Sequence, residues 1–208
     1  FPCGGAMLIR RDLFLDSGGF DADYEMIDED IDLGWRLNLF GHTIRYAPKS
    51  IVYHRRHASL ARLAYAQKAI YLERNSLATM YKNLAPENWA AVMPELMRLA
   101  IHRTESMPTA NAANYDHLRG IQAFFDDLPK WREKRKKVQR ERRVSDDAIL
   151  SRFFARPDRL WAYANEHREA LCSGDYLRIR TPILEKISSA IGLRADESGE
   201  PSVDLPAS

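Results

Sequence analysis

Cysteine is scarce in this chain of 208 residues: Cys3 and Cys172 stand far apart, with no CxxC pair and no Cys/His spacing. That excludes a disulfide framework and a structural zinc site, and it fits a reducing cytoplasm. Long apolar runs are missing too. No stretch reaches about 18 apolar residues, and no charged segment leads into an apolar one at the start, so neither a spanning helix nor a secretory signal is expected. Nor is one sign of charge in excess. Thirty-one basic and 29 acidic side chains leave a formal net charge of +2, which argues against a dedicated nucleic-acid binder and against an acidic disordered chain. Internal repeats are absent. The length allows one large domain or two small ones with a real core. The opening Phe1-Pro2-Cys3-Gly4-Gly5 lacks a methionine and runs straight into apolar residues, which predicts a piece of a longer protein.

Ala6-Met7-Leu8-Ile9 reads as a buried strand, followed by a short helix that stops at Gly18-Gly19. From about residue 30, Ile31, Leu33, Trp35, Leu37, Leu39 and Phe40 form a partly helical pattern ending at Gly41, which predicts a helix over 30–40. Thr43–Tyr46 and Ser50–Tyr53, separated by Pro48, are rich in β-branched and aromatic residues and read as two strands. Beyond residue 59 the texture becomes helical: Leu60, Leu63, Ala64, Ile70, Tyr71, Leu77 and Tyr81 recur at helical spacing. Further helices are predicted over 87–102 with a kink or boundary at Pro94, over 112–127, over 130–143, from a Ser145 cap to Phe154, and over 158–171. From about residue 194 the chain is polar and aperiodic, which predicts a disordered tail.

Asp23, Glu25, Asp28, Glu29, Asp30 and Asp32 put six acidic groups within ten positions. Helix capping accounts for one or two, each worth roughly 0.3 to 1 kcal/mol in a first turn. Crowding and partial burial raise carboxylate pKa values, so one member could serve as a working base. The other reading is a solvated acidic turn in which Asp32 pairs with Arg36 at i, i+4.

His54 follows an apolar segment and precedes Arg55-Arg56-His57. Its imidazole could bind a divalent cation and the arginines could meet phosphate oxygens, or it could be an ordinary surface histidine. His42, His102, His117 and His167 have no partners at ligand spacing and receive no role. Between Lys130 and Arg143 stand nine basic and two acidic residues, a local charge of nine minus two, or plus seven. This helix is either a solvated face or a contact for anionic lipid or phosphate.

Gly4-Gly5-Ala6-Met7-Leu8-Ile9-Arg10-Arg11, Ser17-Gly18-Gly19-Phe20-Asp21, Glu29-Asp30-Ile31-Asp32-Leu33-Gly34-Trp35-Arg36-Leu37, Ala47-Pro48 and Val52-Tyr53-His54 occur in this order. Together they resemble the second half of a family 2 glycosyltransferase. The resemblance implies an α/β fold: residues 1–60 as the acceptor-side part of a GT-A (Rossmann-like) catalytic domain, 61–193 as a mainly helical extension, and 194–208 as the tail. The extension, with Glu73-Arg74-Asn75 and Tyr81-Lys82-Asn83, resembles those of bacterial rhamnosyltransferase-like members. The nucleotide-binding half is not among these motifs, so a fragment of this extent is expected to be inactive alone.

The resemblance further implies an inverting transfer of a sugar from a nucleotide-sugar donor to a glycan or lipid-linked acceptor, in building a cell-surface polysaccharide. Asp30 matches the catalytic base and Glu29 its motif neighbour. Gly4, Gly5, Asp32, Trp35, Arg36 and Arg55 are the implied substrate contacts, and His54 the implied ligand of a Mg²⁺ or Mn²⁺ ion. The Gln-x-x-Arg-Trp motif of processive members is absent, which points to transfer of one or a few sugars. The expected location is cytoplasmic, at the inner face of the cell membrane if 130–143 meets anionic lipid, with no nucleic acid as partner. The competing hypothesis is a non-catalytic helical adaptor docking on membrane or nucleic acid through 130–143.

Overall fold

Apolar residues at helical period and polar residues at four-residue spacing together dictate how this chain packs. The computed structural model describes residues 2–53, 63–105 and 115–153. Among them run α1 (Arg11–Asp16), α2 (Glu29–Leu39), α3 (Tyr65–Asn83), α4 (Pro86–Glu105), α5 (Tyr115–Asp126), α6 (Leu128–Glu141) and α7 (Asp146–Phe153), with short 3-10 turns at Gly4–Ala6 and Ala22–Tyr24.

The stop of α2 lies where the sequence places it. Gly41 has φ +85°, its N–H donates to the Asn38 carbonyl at 3.0 Å, and the His42 N–H donates to the Leu37 carbonyl at 2.9 Å. This pair of bonds closes the helix around a left-handed residue that glycine adopts without strain. At α7 the Ser145 hydroxyl accepts from the Ala148 N–H at 3.2 Å, the expected cap. Pro94 neither ends nor bounds a helix but lies inside α4. It is exposed, as is Ala90 one turn earlier, so the carbonyl deprived of its helical donor can be solvated. Pro129 sits in the first turn of α6, where its missing N–H would have had no helical acceptor.

The strands expected over 6–9, 43–46 and 50–53 form no ladder among the described residues. Gly4–Ala6 is a 3-10 turn, and Leu8, Tyr46, Ile51, Val52 and Tyr53 stand exposed. β-Branched and aromatic composition describes a surface suited to pairing, but a strand exists only where a second one lies alongside. Residues 54–62 and 154–208, which include the expected helix at 158–171 and the tail, lie outside the described residues.

Two apolar clusters hold the helices. Tyr24, Leu77, Ala78, Phe124 and Trp131 are buried together, flanked by Tyr81, Trp89, Leu96, Met97, Ile121 and Leu128. The aromatic members meet edge-on: Tyr24 and Trp131 have ring centroids 6.0 Å apart, Tyr81 and Trp89 5.3 Å. A second cluster joins Leu39 and Phe40 of the α2 end to Val138 of α6 and Ile149 of α7, with Trp35 and Val144 against it. The Leu39 carbonyl also accepts from the N–H groups of Arg143 (2.8 Å) and Val144 (3.0 Å), so the end of α6 is tied to the end of α2.

The crossing of α3 and α5 is close at Gly120. A Cβ there would lie 2.8 Å from the Ile70 carbonyl oxygen and 2.8 Å from the Glu73 Cβ. Replacing glycine by alanine inside a helix ordinarily gains about 1 kcal/mol. Here backbone blocks the methyl, and overpacking costs typically about 1–3 kcal/mol. Gly120→Ala should therefore be net destabilising, with an earlier urea midpoint, whereas an exposed helix position in α5 changed to alanine should leave the midpoint unmoved or raised.

Candidate functional site

The acidic segment is built as a strained turn leading into a helix. Asp21 caps the 3-10 turn, its carboxylate accepting from the Asp23 N–H at 3.1 Å. Glu25, Ile27 and Asp28 then take φ values of +59°, +72° and +67°. None is glycine, and each such residue costs of order 1–3 kcal/mol. A β-branched residue such as Ile27 is the least suited of the three.

α3 supplies the compensation. The buried Asn75 amide donates through Nδ2 to the carbonyls of Tyr24 (3.1 Å), Met26 (2.7 Å) and Ile27 (2.8 Å). Arg74 Nε donates to Asn75 Oδ1 at 2.9 Å, which orients the amide, while Arg74 Nη2 reaches the Asp23 carbonyl at 3.0 Å. Ser76 Oγ donates to Asp28 Oδ2 at 2.7 Å, and the Tyr71 hydroxyl to Glu25 Oε2 at 2.5 Å. Tyr71, Asn75, Thr79 and Asn83 recur every four residues and so share one helix face. That polar stripe grips residues 24–32, with Thr79 Oγ1 2.7 Å from the Tyr24 hydroxyl and Asn83 Nδ2 donating to Asp32 Oδ1 at 2.9 Å. The sequence reading missed it; polar residues at i, i+4 within an otherwise amphipathic helix were the available signal.

Glu29 and Asp30 occupy the first turn of α2. Asp30 is half-buried, and its Oδ2 accepts from the Gly4 N–H at 2.8 Å. Among the described residues no donor reaches its other oxygen. Both Gly4 and Gly5 are exposed, but Gly4 packs directly on this carboxyl, a Cβ there meeting Asp30 at 3.4 Å. Glu29 Oε2 is buried without a hydrogen-bond partner among the described residues. Asp28, pulled towards Ser76, does not cap the helix. Burial pushes its carboxyl above the ordinary aspartate value, the Ser76 hydroxyl opposes that, and the neighbouring charges of Asp30, Glu29 and Asp32 add to it.

Asp32 and Arg36, expected as substrate contacts, lie in a buried ion network. Asp32 has no exposed surface. Its carboxylate meets Arg36 Nε at 2.9 Å, the i, i+4 pair that the alternative reading placed in a solvated turn and that is instead buried, and Lys82 Nζ at 3.0 Å. Arg36 also donates to the Gly19 carbonyl at 2.7 Å and to that of Ser17. Lys82 continues to Asp21 Oδ2 at 2.7 Å, and Lys134 of α6 pairs with both Asp21 and Asp23. Burial works against ionising Asp21, but Lys82 and Lys134 outweigh it and hold its carboxyl at about 2. Trp35 is half-buried against the second apolar cluster.

A cleft of about 370 Å³ opens beside this network, lined by Phe20, Arg36, Phe40, Lys134, Lys137 and Val138 among others. Neither Asp30 nor Glu29 lines it. His54 and Arg55 lie outside the described residues, so their placement relative to Asp30 is not defined. Among the described residues no three His, Cys, Asp or Glu side chains converge as a metal site. His117, which received no role, is buried with Nδ1 2.8 Å from Glu73 Oε1, joining α5 to α3.

The basic helix divides by face. On the inner side, besides Lys134, Arg135 donates to the Tyr81 and Leu84 carbonyls, and Arg142 to Asp146 and the Asn83 carbonyl. Arg132, Lys136, Lys137, Arg140 and Arg143 are exposed.

Similarity to known proteins bears on this geometry. Over 74 residues the chain is 39% identical to N-acetylglucosaminyl-diphospho-decaprenol L-rhamnosyltransferase of Mycobacterium tuberculosis, in two strains. The resemblance is to a glycosyltransferase. It covers 33% of this chain, which spans only 24% of the length of those relatives. No family model matches, and no solved structure does. No helix among the described residues is long and apolar enough to cross a membrane.

Two outcomes follow for the ion network. Asp32→Asn leaves Arg36 and Lys82 short of a buried counter-charge and should cost roughly 3–5 kcal/mol in urea denaturation. Asp21 has a folded pKa below its ordinary 3.8, so its contribution is fully present above that value and is lost as pH falls towards about 2. In stability measurements stepped through this window, Asp21→Asn should flatten the acid-side slope.

Proposed function

We propose that this chain is the acceptor-side part of an inverting family 2 glycosyltransferase of GT-A fold, in which Asp30 is the general base. The observation that carries the reading is the 39% identity over 74 residues to a rhamnosyltransferase. The half-buried Asp30 carboxylate, with one oxygen held by the Gly4 N–H and the other unclaimed among the described residues, supports the role. In this reading the nucleotide-binding half belongs to sequence outside these 208 residues. The exposed apolar side chains at Leu8, Tyr46, Ile51 and Tyr53 are a surface on which that half would pack.

The chemistry is a single displacement. The free Asp30 oxygen takes the proton of the acceptor hydroxyl as that oxygen bonds to the anomeric carbon of the donor sugar. The bond from that carbon to the nucleoside diphosphate breaks on the opposite face, and the configuration inverts. By analogy with the relatives' name, the donor sugar is L-rhamnose and the acceptor a lipid-linked diphospho-sugar. The carboxylates among the described residues do not converge as a metal site; a Mg²⁺ or Mn²⁺ requirement would rest on His54.

A lipid-linked acceptor also gives the exposed cations of α6 a purpose. Arg132, Lys136 and Arg140 stand four residues apart on one face, while Leu128, Trp131 and Val138 of this helix pack into the apolar clusters. Contact with the inner face of the cell membrane would therefore be electrostatic, about 1 kcal/mol per cation near an anionic surface.

In the complete enzyme, Asp30→Asn should lower kcat by about 10²- to 10⁴-fold, measured as sugar transfer to a lipid-linked acceptor; near-normal turnover removes Asp30 from the role. Vesicles containing anionic lipid should bind the protein and release it as salt rises, and Arg132→Glu with Lys136→Glu should abolish the binding. Tight association with nucleic acid instead, together with indifference to Asp30 substitution, would favour the adaptor.

A further inference from the structure

The turn before α2 is strained for no local reason. An ordinary capping residue has extended backbone and turns its side chain onto the first helical N–H groups. Asp28 does neither: its φ is +67° and its carboxylate goes to Ser76. Glycine at 25, 27 or 28 would relieve the backbone, yet the chain carries Glu, Ile and Asp there. Left-handed non-glycine residues in a row persist only where surrounding structure over-determines them, and such places gather at functional sites.

The determinant is one short segment of α3. Three carbonyls of the turn converge on a single buried amide, that of Asn75, whose orientation is set by Arg74. The next residue, Ser76, takes the side chain that would otherwise cap the helix. What these contacts fix is the start of α2, and with it the direction of the residue two positions on, whose Oδ2 meets the Gly4 N–H.

We propose that Arg74, Asn75 and Ser76 are positioning residues for the Asp30 carboxylate: they hold Glu25, Ile27 and Asp28 at positive φ so that α2 begins with Asp30 aimed at the Gly4 amide. The inference rests on Asp30 being the base only for its functional meaning; the positioning itself is a property of this chain. It also assigns a task to Glu73-Arg74-Asn75 as a sequence element, which resemblance alone left without one.

The test uses the isotope-labelled 208-residue chain and the Gly4 amide resonance, followed through a pH titration. In the parent protein that resonance should move with the ionisation of Asp30, and in Asp30→Asn it should not. Asn75→Ala and Ser76→Ala should each lose the movement while retaining helical circular dichroism, and Ser76→Thr should restore it relative to Ser76→Ala. Should Asn75→Ala fail to fold, Ser76→Ala, which deletes one hydroxyl, decides the matter. An unchanged Gly4 titration in folded Ser76→Ala overturns the proposal. So does an equal loss in Ile149→Ala, which weakens the apolar cluster at the far end of α2 without touching the turn. Turnover by Asp30→Asn in the complete enzyme would remove the base assignment and leave this result standing.

Discussion

A single carboxylate, that of Asp32, is shared by α2 and α3. Burying a charge is costly unless it is both paired and hydrogen-bonded. Asp32 meets that condition with Arg36 from its own helix and with Lys82 and Asn83 from α3. Each cation has a further engagement, Arg36 with the backbone of the α1–α2 connection and Lys82 with Asp21. Lys82 Nζ also lies 4.5 Å from the centre of the Tyr24 ring, beside Trp131. The ion network and the main apolar cluster are thus one assembly, and neither could be rearranged without exposing unpaired charge to the other.

From this anchor the rest follows outward along α3. Its apolar residues Leu77 and Ala78 face the cluster with Phe124 and Trp131, while its four-residue polar stripe faces the acidic segment. The helix acts as a template: it dictates the backbone path of residues 23–28 through their carbonyls rather than through side-chain packing. Carbonyl contacts specify conformation more tightly than apolar contacts do, because a donor tolerates little angular error. Conformational strain before α2 is consequently stable, and the carboxyls that follow are presented from a stiff base.

How much of this could be read from the chain depends on the range of the interaction. Local signals sufficed for the Gly41 stop, the Ser145 cap, the Asp32–Arg36 pair and most helix spans, since each involves residues within a turn of one another. Strand propensity at 43–46 and 50–53 was legible, but pairing is a long-range property and no described segment supplies it. Pro94 does not bound the helix, because its orphaned carbonyl at Ala90 is exposed to solvent. The left-handed turn gave no warning, as none of its strained residues is glycine; its cause lies some fifty positions away in Asn75. The charge of 130–143 suggested a single exposed surface, whereas Lys134, Arg135 and Arg142 are consumed internally. Asp30 and Gly4 were both singled out from sequence, though not as partners. The polar stripe of α3, by contrast, was hidden within a pattern counted for its apolar members.

The two hydrogen bonds that the Leu39 carbonyl accepts, from the N–H groups of Arg143 and Val144, tie the far ends of α2 and α6 together. Joined at these ends, the two helices carry the Asp30 carboxylate at the opposite tip of α2 and the exposed cations along α6. The spacing between that acid and those charges is thus written into a covalent chain and two main-chain contacts, with no side chain needed to set it.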